Sequence, residues 1–202
     1  MPLLEELLQA SDFTAAVAGL AREFRQRHAL PPVHQLGLVV PDAIAAAGEL
    51  ERRGIGPFFL AAGRPVLWRE RGQERVFSGR MGLAYHHGFE LELLEPGQGS
   101  DFYRQSLDPQ GRAVIQHLGF LCPDVDAAAA RVGVPVWVRG RIKTGPMVTE
   151  FAYLDTVAEA GLVIEFISWR FLGLEFIPPA GLVHALGRLQ KWSGKRSFDL
   201  VV

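Results

Sequence analysis

The 202-residue sequence has a single cysteine, Cys122, so an internal disulfide is excluded. A lone thiol inside an apolar stretch fits a small core hydrophobe in a reducing cytoplasm. Excess charge of either sign is also lacking: 21 Lys and Arg stand against 22 Asp and Glu. With no basic field to hold a polyanion, nucleic acid is not an expected partner. No window of ~20 residues is both apolar and uncharged, as a membrane-spanning helix requires. The first residues, Met1-Pro2-Leu3-Leu4-Glu5-Glu6, lack the basic start and unbroken apolar core of a signal peptide. Together these absences predict a cytoplasmic protein that works away from membranes.

Apolar residues, by contrast, make up 49% of the chain. A chain of this length buries about 70% of its unfolded surface, so a core can form without staples. Its organising feature is repetition. Gln116-His117-Leu118-Gly119-Phe120-Leu121-Cys122-Pro123-Asp124 reads as a strand that runs into a helix N-cap at Asp124, before Ala127 to Ala130 and Gly133. Gln35-Leu36-Gly37-Leu38-Val39-Val40-Pro41-Asp42 says the same thing earlier, followed by Ala43, Ala45 to Ala47 and Gly54. A second pair of phrases repeats too. Gly88-Phe89-Glu90-Leu91-Glu92 and Gly161-Leu162-Val163-Ile164-Glu165 each place a glutamate four residues after a glycine in an apolar strand.

The spacing predicts an α+β chain of two tandem βαβββ units, 33–96 and 114–168, within a main domain spanning 33–170. A helical extension is expected at each end, 1–32 and 171–202. In the first, Phe13, Val17, Leu20 and Phe24 recur at helical spacing and predict one helix over 3–29, ended by Pro31-Pro32. The first unit should continue through one strand made of Pro57 to Leu60 and Pro65 to Trp68, interrupted at Gly63. Another should follow from Arg75 to Tyr85, a turn at His86-His87-Gly88, and a strand from Phe89 to Leu94. Ser100 is placed to cap a short helix in the connection 97–113. The last helix, after Pro178-Pro179, ends among Arg188, Lys191, Lys195 and Arg196. Those charges complement the helix dipole; a phosphate-bearing ligand is the alternative reading.

The two-unit pattern, with Gly56-Pro57-Phe58, Glu92 to Pro96 and Tyr153 to Thr156 in order, resembles the vicinal oxygen chelate superfamily. That group holds glyoxalase I, methylmalonyl-CoA epimerase, extradiol dioxygenases and bleomycin-resistance proteins. The resemblance covers roughly Val33 to Trp169. It implies a half-open barrel in which the first and last strands of each unit aim one side chain at a divalent metal. Carried onto this sequence, those positions are Gln35, Glu92, His117 and Glu165. His34 replaces Gln35 if the first strand is shifted by one residue, since neighbouring side chains face opposite ways.

A carboxylate pair with an imidazole and an amide suits Zn²⁺, Mn²⁺, Fe²⁺, Co²⁺ or Ni²⁺. Two carboxylates ~4 Å apart repel by about 4 kcal/mol at an effective dielectric near 20, so a cation or a proton is expected between them. The resemblance implies a glyoxalase- or epimerase-like lyase or isomerase. It would stabilise an enolate of a small oxygenated substrate, with Glu92 or Glu165 moving the proton. Tyr153, Glu90 and His86 are further candidates for substrate contact. Two alternatives stay open. One is a metal-free binding protein of the bleomycin-resistance type, with Phe58, Phe59, Trp68, Phe77 and Tyr85 lining a cleft. The other is an extradiol-type dioxygenase, which needs His34 in the site and Glu92 out of it. A homodimer is expected, because superfamily members pair units across chains and the N-terminal apolar helix face wants a cover.

Overall fold

The computed structural model describes residues 1–200. The N-terminal segment differs from the expected single helix. It forms α1 (Leu4–Leu8), α2 (Phe13–Gly19) and α3 (Arg22–Arg27). Asp12 restarts the chain by accepting the Ala15 N–H at 3.0 Å, and Ala21 turns it again with a φ of 48°. Helical periodicity found Phe13, Val17 and Phe24, which are buried, and Leu20, which is half-buried, but not Leu4, Leu7 or these two breaks. Leu4, Leu7, Phe13, Val17 and Phe24 are buried in the same core as the helices of the two units. The chain itself therefore covers this apolar face, which removes one of the two reasons for expecting a dimer.

The first unit runs β1 (Gln35–Val39), α4 (Ala43–Arg52), β2 (Phe59–Gly63), β3 (Leu67–Glu70), β4 (Gln73–Glu74), β5 (Gly79–His86) and β6 (Phe89–Leu94). The second runs β7 (Val114–Leu121), α5 (Val125–Val132), β8 (Val136–Thr144), β9 (Met147–Leu154), α6 (Val157–Ala160) and β10 (Val163–Phe171). Then come β11 (Leu174–Glu175), α7 (Ala180–Trp192) and β12 (Phe198–Leu200). Asp42 and Asp124 cap α4 and α5 from equivalent places, accepting the Ala45 and Ala127 N–H groups. At the β5–β6 turn, His87 and Gly88 both have positive φ, 49° and 85°, as a tight hairpin requires.

All the strands join one sheet, in the order β12-β2-β5-β6-β1-β7-β10-β9-β8-β3-β4, with β11 on β10. In each unit the first and last strands are parallel neighbours, β1 with β6 and β7 with β10. The other two strands follow outward in antiparallel order. The units meet where β1 and β7 pair antiparallel, which relates them by a pseudo-twofold axis. The sheet curls into a half-barrel, so the expected α+β fold of two βαβββ units is what the chain adopts.

Strand alternation sorts the side chains. Leu36, Leu38, Leu91, Leu93, Leu118, Phe120, Ile164 and Phe166 face the helices and form the main core. Their neighbours in sequence face the hollow of the curl. Thr156 fixes where β10 begins: its hydroxyl donates to Leu162 O and accepts the Ile164 N–H, both at 2.9 Å. The phrase Tyr153 to Thr156 thereby sets the register of Glu165.

One crossing was not legible in the sequence. After Gly63 the chain leaves the first unit and pairs β3 with β8, at the far edge of the second. The segment expected to be one interrupted strand instead links the two edges of the half-barrel. At the other end, α7 and β12 cover the outer edge of β2. No described helix is long and apolar enough to cross a membrane. Lys191, in the basic end of α7, pairs with Glu51 at 2.7 Å, which gives that lysine an intramolecular role.

Candidate metal centre and cavity

The two first strands fit one another through their glycines. Gln35-Leu36-Gly37 and His117-Leu118-Gly119 lie antiparallel, with Gln35 opposite Gly119 and Gly37 opposite His117. A Cβ at Gly37 would overlap the His117 imidazole. A Cβ at Gly119 would lie 2.8 Å from Gln35 Oε1 and 2.7 Å from Ile167 Cδ1. Each unit thus supplies a polar side chain and, two residues on, the space for the other unit's polar side chain. This reciprocity makes Gln35 the structural counterpart of His117. His34 is not brought to the hollow; its half-buried ring lies edge-on to Tyr85, with centroids 6.3 Å apart. β1 carries no extra residue that would turn His34 inward. A bulge lies on β7 instead, where Gln116 is the extra residue between the pairs Gly37–His117 and Leu38–Ile115.

That bulge sets the imidazole. Gln116 Oε1 accepts from His117 Nδ1 at 2.7 Å, which leaves Nε2 facing the hollow. There Nε2 lies 3.1 Å from Glu165 Oε2 and 3.4 Å from Glu92 Oε2. Ligand atoms of Glu92, His117 and Glu165 all lie within 4.8 Å of one another, and all three residues are buried. Yet His117 Nε2 and Glu165 Oε2 have no aligned hydrogen-bond partner, and neither has Gln35 Oε1. Buried polar atoms without partners are costly. Their convergence on one small volume therefore leaves the group short of a shared partner.

The charges follow the burial. Burial opposes a charge on His117, but the Glu165 carboxylate, helped by Glu92, outweighs it and raises the imidazole to about 9. Burial pushes the Glu165 carboxyl up despite the imidazole beside it. Glu90 is wholly buried and is pushed up to about 7, first by burial and then by the Glu92 charge. It accepts from Gln35 Nε2 at 2.7 Å, so the amide oxygen of Gln35 is the end left free.

Tyr153 lies under this group, its ring centroid 4.9 Å from that of His117. Its hydroxyl bonds that of Tyr103 at 2.9 Å, and burial holds both phenols well above their ordinary pKa. Two neutral hydroxyls sharing one hydrogen bond leave one O–H to donate elsewhere, and the Glu165 carboxylate is close enough to Tyr153 to take it. Tyr103 comes from the connection between the units, where no sequence signal marked it. Gln116 and the two glycines were equally unmarked, although the spacing Gln-x-Gly and His-x-Gly was there to be read.

No known family matches the sequence, and no curated protein is significantly similar to it. Solved structures do share the architecture loosely. One is a Streptomyces coelicolor methylmalonyl-CoA epimerase in complex with 2-nitronate-propionyl-CoA, 21% identical over 73% of this chain and 99% of that one, TM-score 0.44. Another is a methylmalonyl-CoA epimerase from Mycobacterium tuberculosis, 19% identical over 67% of this chain and 85% of that one, TM-score 0.43. At such values the architecture rests on this chain's own strand order and on the reciprocal first strands. It is the half-barrel of two βαβββ units that the sequence resemblance implies.

Within this half-barrel the hollow is a cavity of about 320 Å³. Gln35, Glu92, Glu165, Tyr103 and Tyr153 form its polar end, and most of the remaining lining is apolar. Of the aromatics expected to line a cleft, Phe59, Trp68 and Phe77 do so, whereas Phe58 is in the main core. Tyr85 donates its hydroxyl to Pro178 O at 3.2 Å. His86 is not brought to the site. Its ring packs edge-on against Phe13 at 5.0 Å, because the β5–β6 turn carries it to the N-terminal helices. Glu90 stands behind Gln35 and meets the site through that amide.

Proposed function

We propose that this chain is a divalent-metal-dependent isomerase or lyase for a small oxygenated organic substrate. The observation that carries the reading is the buried convergence of His117 Nε2 with the Glu92 and Glu165 carboxylates, none of it resolved by aligned hydrogen bonds. The residues fit a cation of the Zn²⁺ or Mn²⁺ type, held by His117, Glu165, Glu92 and Gln35 Oε1. When bound it supplies a Lewis acid toward a substrate carbonyl or carboxylate oxygen.

The chain's own groups do the rest. Gln116 fixes the imidazole tautomer that keeps Nε2 available. Glu90 turns the Gln35 amide so that its oxygen faces inward. Glu92 is the base: its side chain is 11% exposed, against 4% for Glu165, so it is the carboxylate better placed to reach a substrate carbon. It would take a proton from the carbon α to the substrate's carbonyl group, leaving an enolate, and return it to that carbon or to its neighbour. The Tyr103–Tyr153 pair, whose second O–H lies within reach of Glu165, would donate to the substrate oxygen in its place.

Calorimetric titration with Mn²⁺ tests the assignment. Glu165→Gln and His117→Ala should each weaken binding by ~100-fold, and Gln35→Ala by roughly tenfold, because an amide oxygen is the weaker donor. His34→Ala should bind like the parent. Loss of binding in His34→Ala with retention in Gln35→Ala would show the assignment to be shifted by one residue. The extradiol reading loses its second histidine with His34 outside the hollow. The metal-free binding reading keeps one observation in its favour, the largely apolar cavity, and becomes the better account if the parent protein binds no metal.

A further inference from the structure

The polar end of the cavity accounts for a substrate's reacting head. The rest of the cavity describes its body. Its far wall is not part of either βαβββ unit but is α7, which contributes Leu182, Val183 and Leu186. Leu182 and Leu186 are 43% and 36% exposed, an unusual state for leucines that face inward across a hollow.

This wall is fixed in place. Gln190, buried, grips the edge of β2 with both ends of its amide: Oε1 accepts the Leu60 N–H at 2.8 Å and Nε2 donates to Leu60 O at 2.7 Å. His184 Nε2 accepts the Tyr85 N–H at 3.1 Å, which satisfies a strand donor beyond the end of the β2–β5 pairing. Gly187 lets the helix approach so closely that a Cβ there would lie 2.8 Å from Phe58 O. A helix tied by a bidentate amide, an imidazole and a glycine contact is a wall rather than a swinging lid.

The cavity is further lined by Trp68, Phe77 and Phe151, with Met81 and Leu83; of its charged lining, Arg80 is already paired with Glu95 at 2.7 Å and Arg64 is exposed at the rim. A polar body against these aromatic and aliphatic side chains would leave most of its hydrogen-bonding groups unpaired. A ring or branched hydrocarbon would trade water for an apolar surface and gain roughly ten- to a hundredfold in affinity. We infer that the substrate carries a compact apolar body, an aromatic ring or a branched hydrocarbon, next to its oxygen-bearing head, and that Leu182 and Leu186 of α7 select it. The inference rests on the proposed metal site only for where the head sits.

Two hydroxamates with the same chelating head separate the parts. The affinities of acetohydroxamate and benzohydroxamate are measured by calorimetry on the Mn²⁺-loaded full chain, each relative to its affinity for Mn²⁺ in water. Benzohydroxamate should bind roughly tenfold or more tightly. In Leu186→Trp, which fills the cavity, that ratio should fall toward one; Leu182→Trp is the second variant should the first fold poorly. Equal affinities in the parent, or a ratio unmoved in both variants, overturn the inference. If the parent binds neither metal nor hydroxamate, the metal reading has failed, and N-phenyl-1-naphthylamine then decides the apolar site alone. A fluorescence rise in the parent that Leu186→Trp removes supports the inference; no rise overturns it.

Discussion

Gly37→Ala is expected to remove the metal site while leaving the sheet in place. The added methyl would overlap the His117 ring, and the ring has no room to shift within its strand because Gln116 holds Nδ1 and Tyr153 lies against its face. The imidazole must leave the hollow, so Mn²⁺ affinity should drop by ~100-fold, as for loss of the ligand itself. Overpacking should also lower stability by about 1–3 kcal/mol. The double variant Gly37→Ala/His117→Ala removes the clash and should recover most of that stability without recovering metal binding. Thermal unfolding and titration of the three variants check this. Unchanged affinity in Gly37→Ala would refute the placement of His117 over Gly37.

The second large effect is on pH. Burial disfavours a charged His117, but Glu165 and Glu92 outweigh it and raise the imidazole to about 9. At pH 7 the metal-free site therefore holds a proton where the metal needs a lone pair. The proton belongs to the His117–Glu165 pair, since the Glu165 carboxyl is itself pushed up by burial. Binding must expel it. Affinity should rise roughly tenfold per pH unit from 7 to about 9 and level off above that. Calorimetry in buffers of different ionisation enthalpy should count about one proton released per ion at pH 7. Glu165→Gln removes the main cause of the rise and should move the plateau to lower pH. An affinity that is flat from pH 7 to 9, with no proton released, would contradict this electrostatic account.

Much of this was legible in the sequence because symmetry doubles every signal. A glutamate on one apolar strand says little. Glu92 and Glu165 at matching places in two units predicted that the two would meet, and the pseudo-twofold pairing of β1 with β7 brings them to one hollow. Strand parity likewise separated Gln35 from His34. What was not legible came from contacts without a local pattern. The passage of β3 to the far edge on β8, the bulge that sends Gln116 to His117, and the meeting of Tyr103 with Tyr153 are decided by tertiary packing. The breaks at Asp12 and Ala21 show the same limit at smaller scale. Periodicity there identified three of the buried side chains, Phe13, Val17 and Phe24, while the helix boundaries followed from a cap and a left-handed residue.

The central claim is that Glu92, His117 and Glu165 form a divalent-metal site. Its most direct test is elemental analysis and Mn²⁺ and Zn²⁺ titration of chelator-dialysed full-length protein beside His117→Ala. The account predicts a single divalent ion per parent chain and none retained by the variant. A parent protein that binds neither ion above background, or a His117→Ala variant that binds as well as the parent, would contradict it.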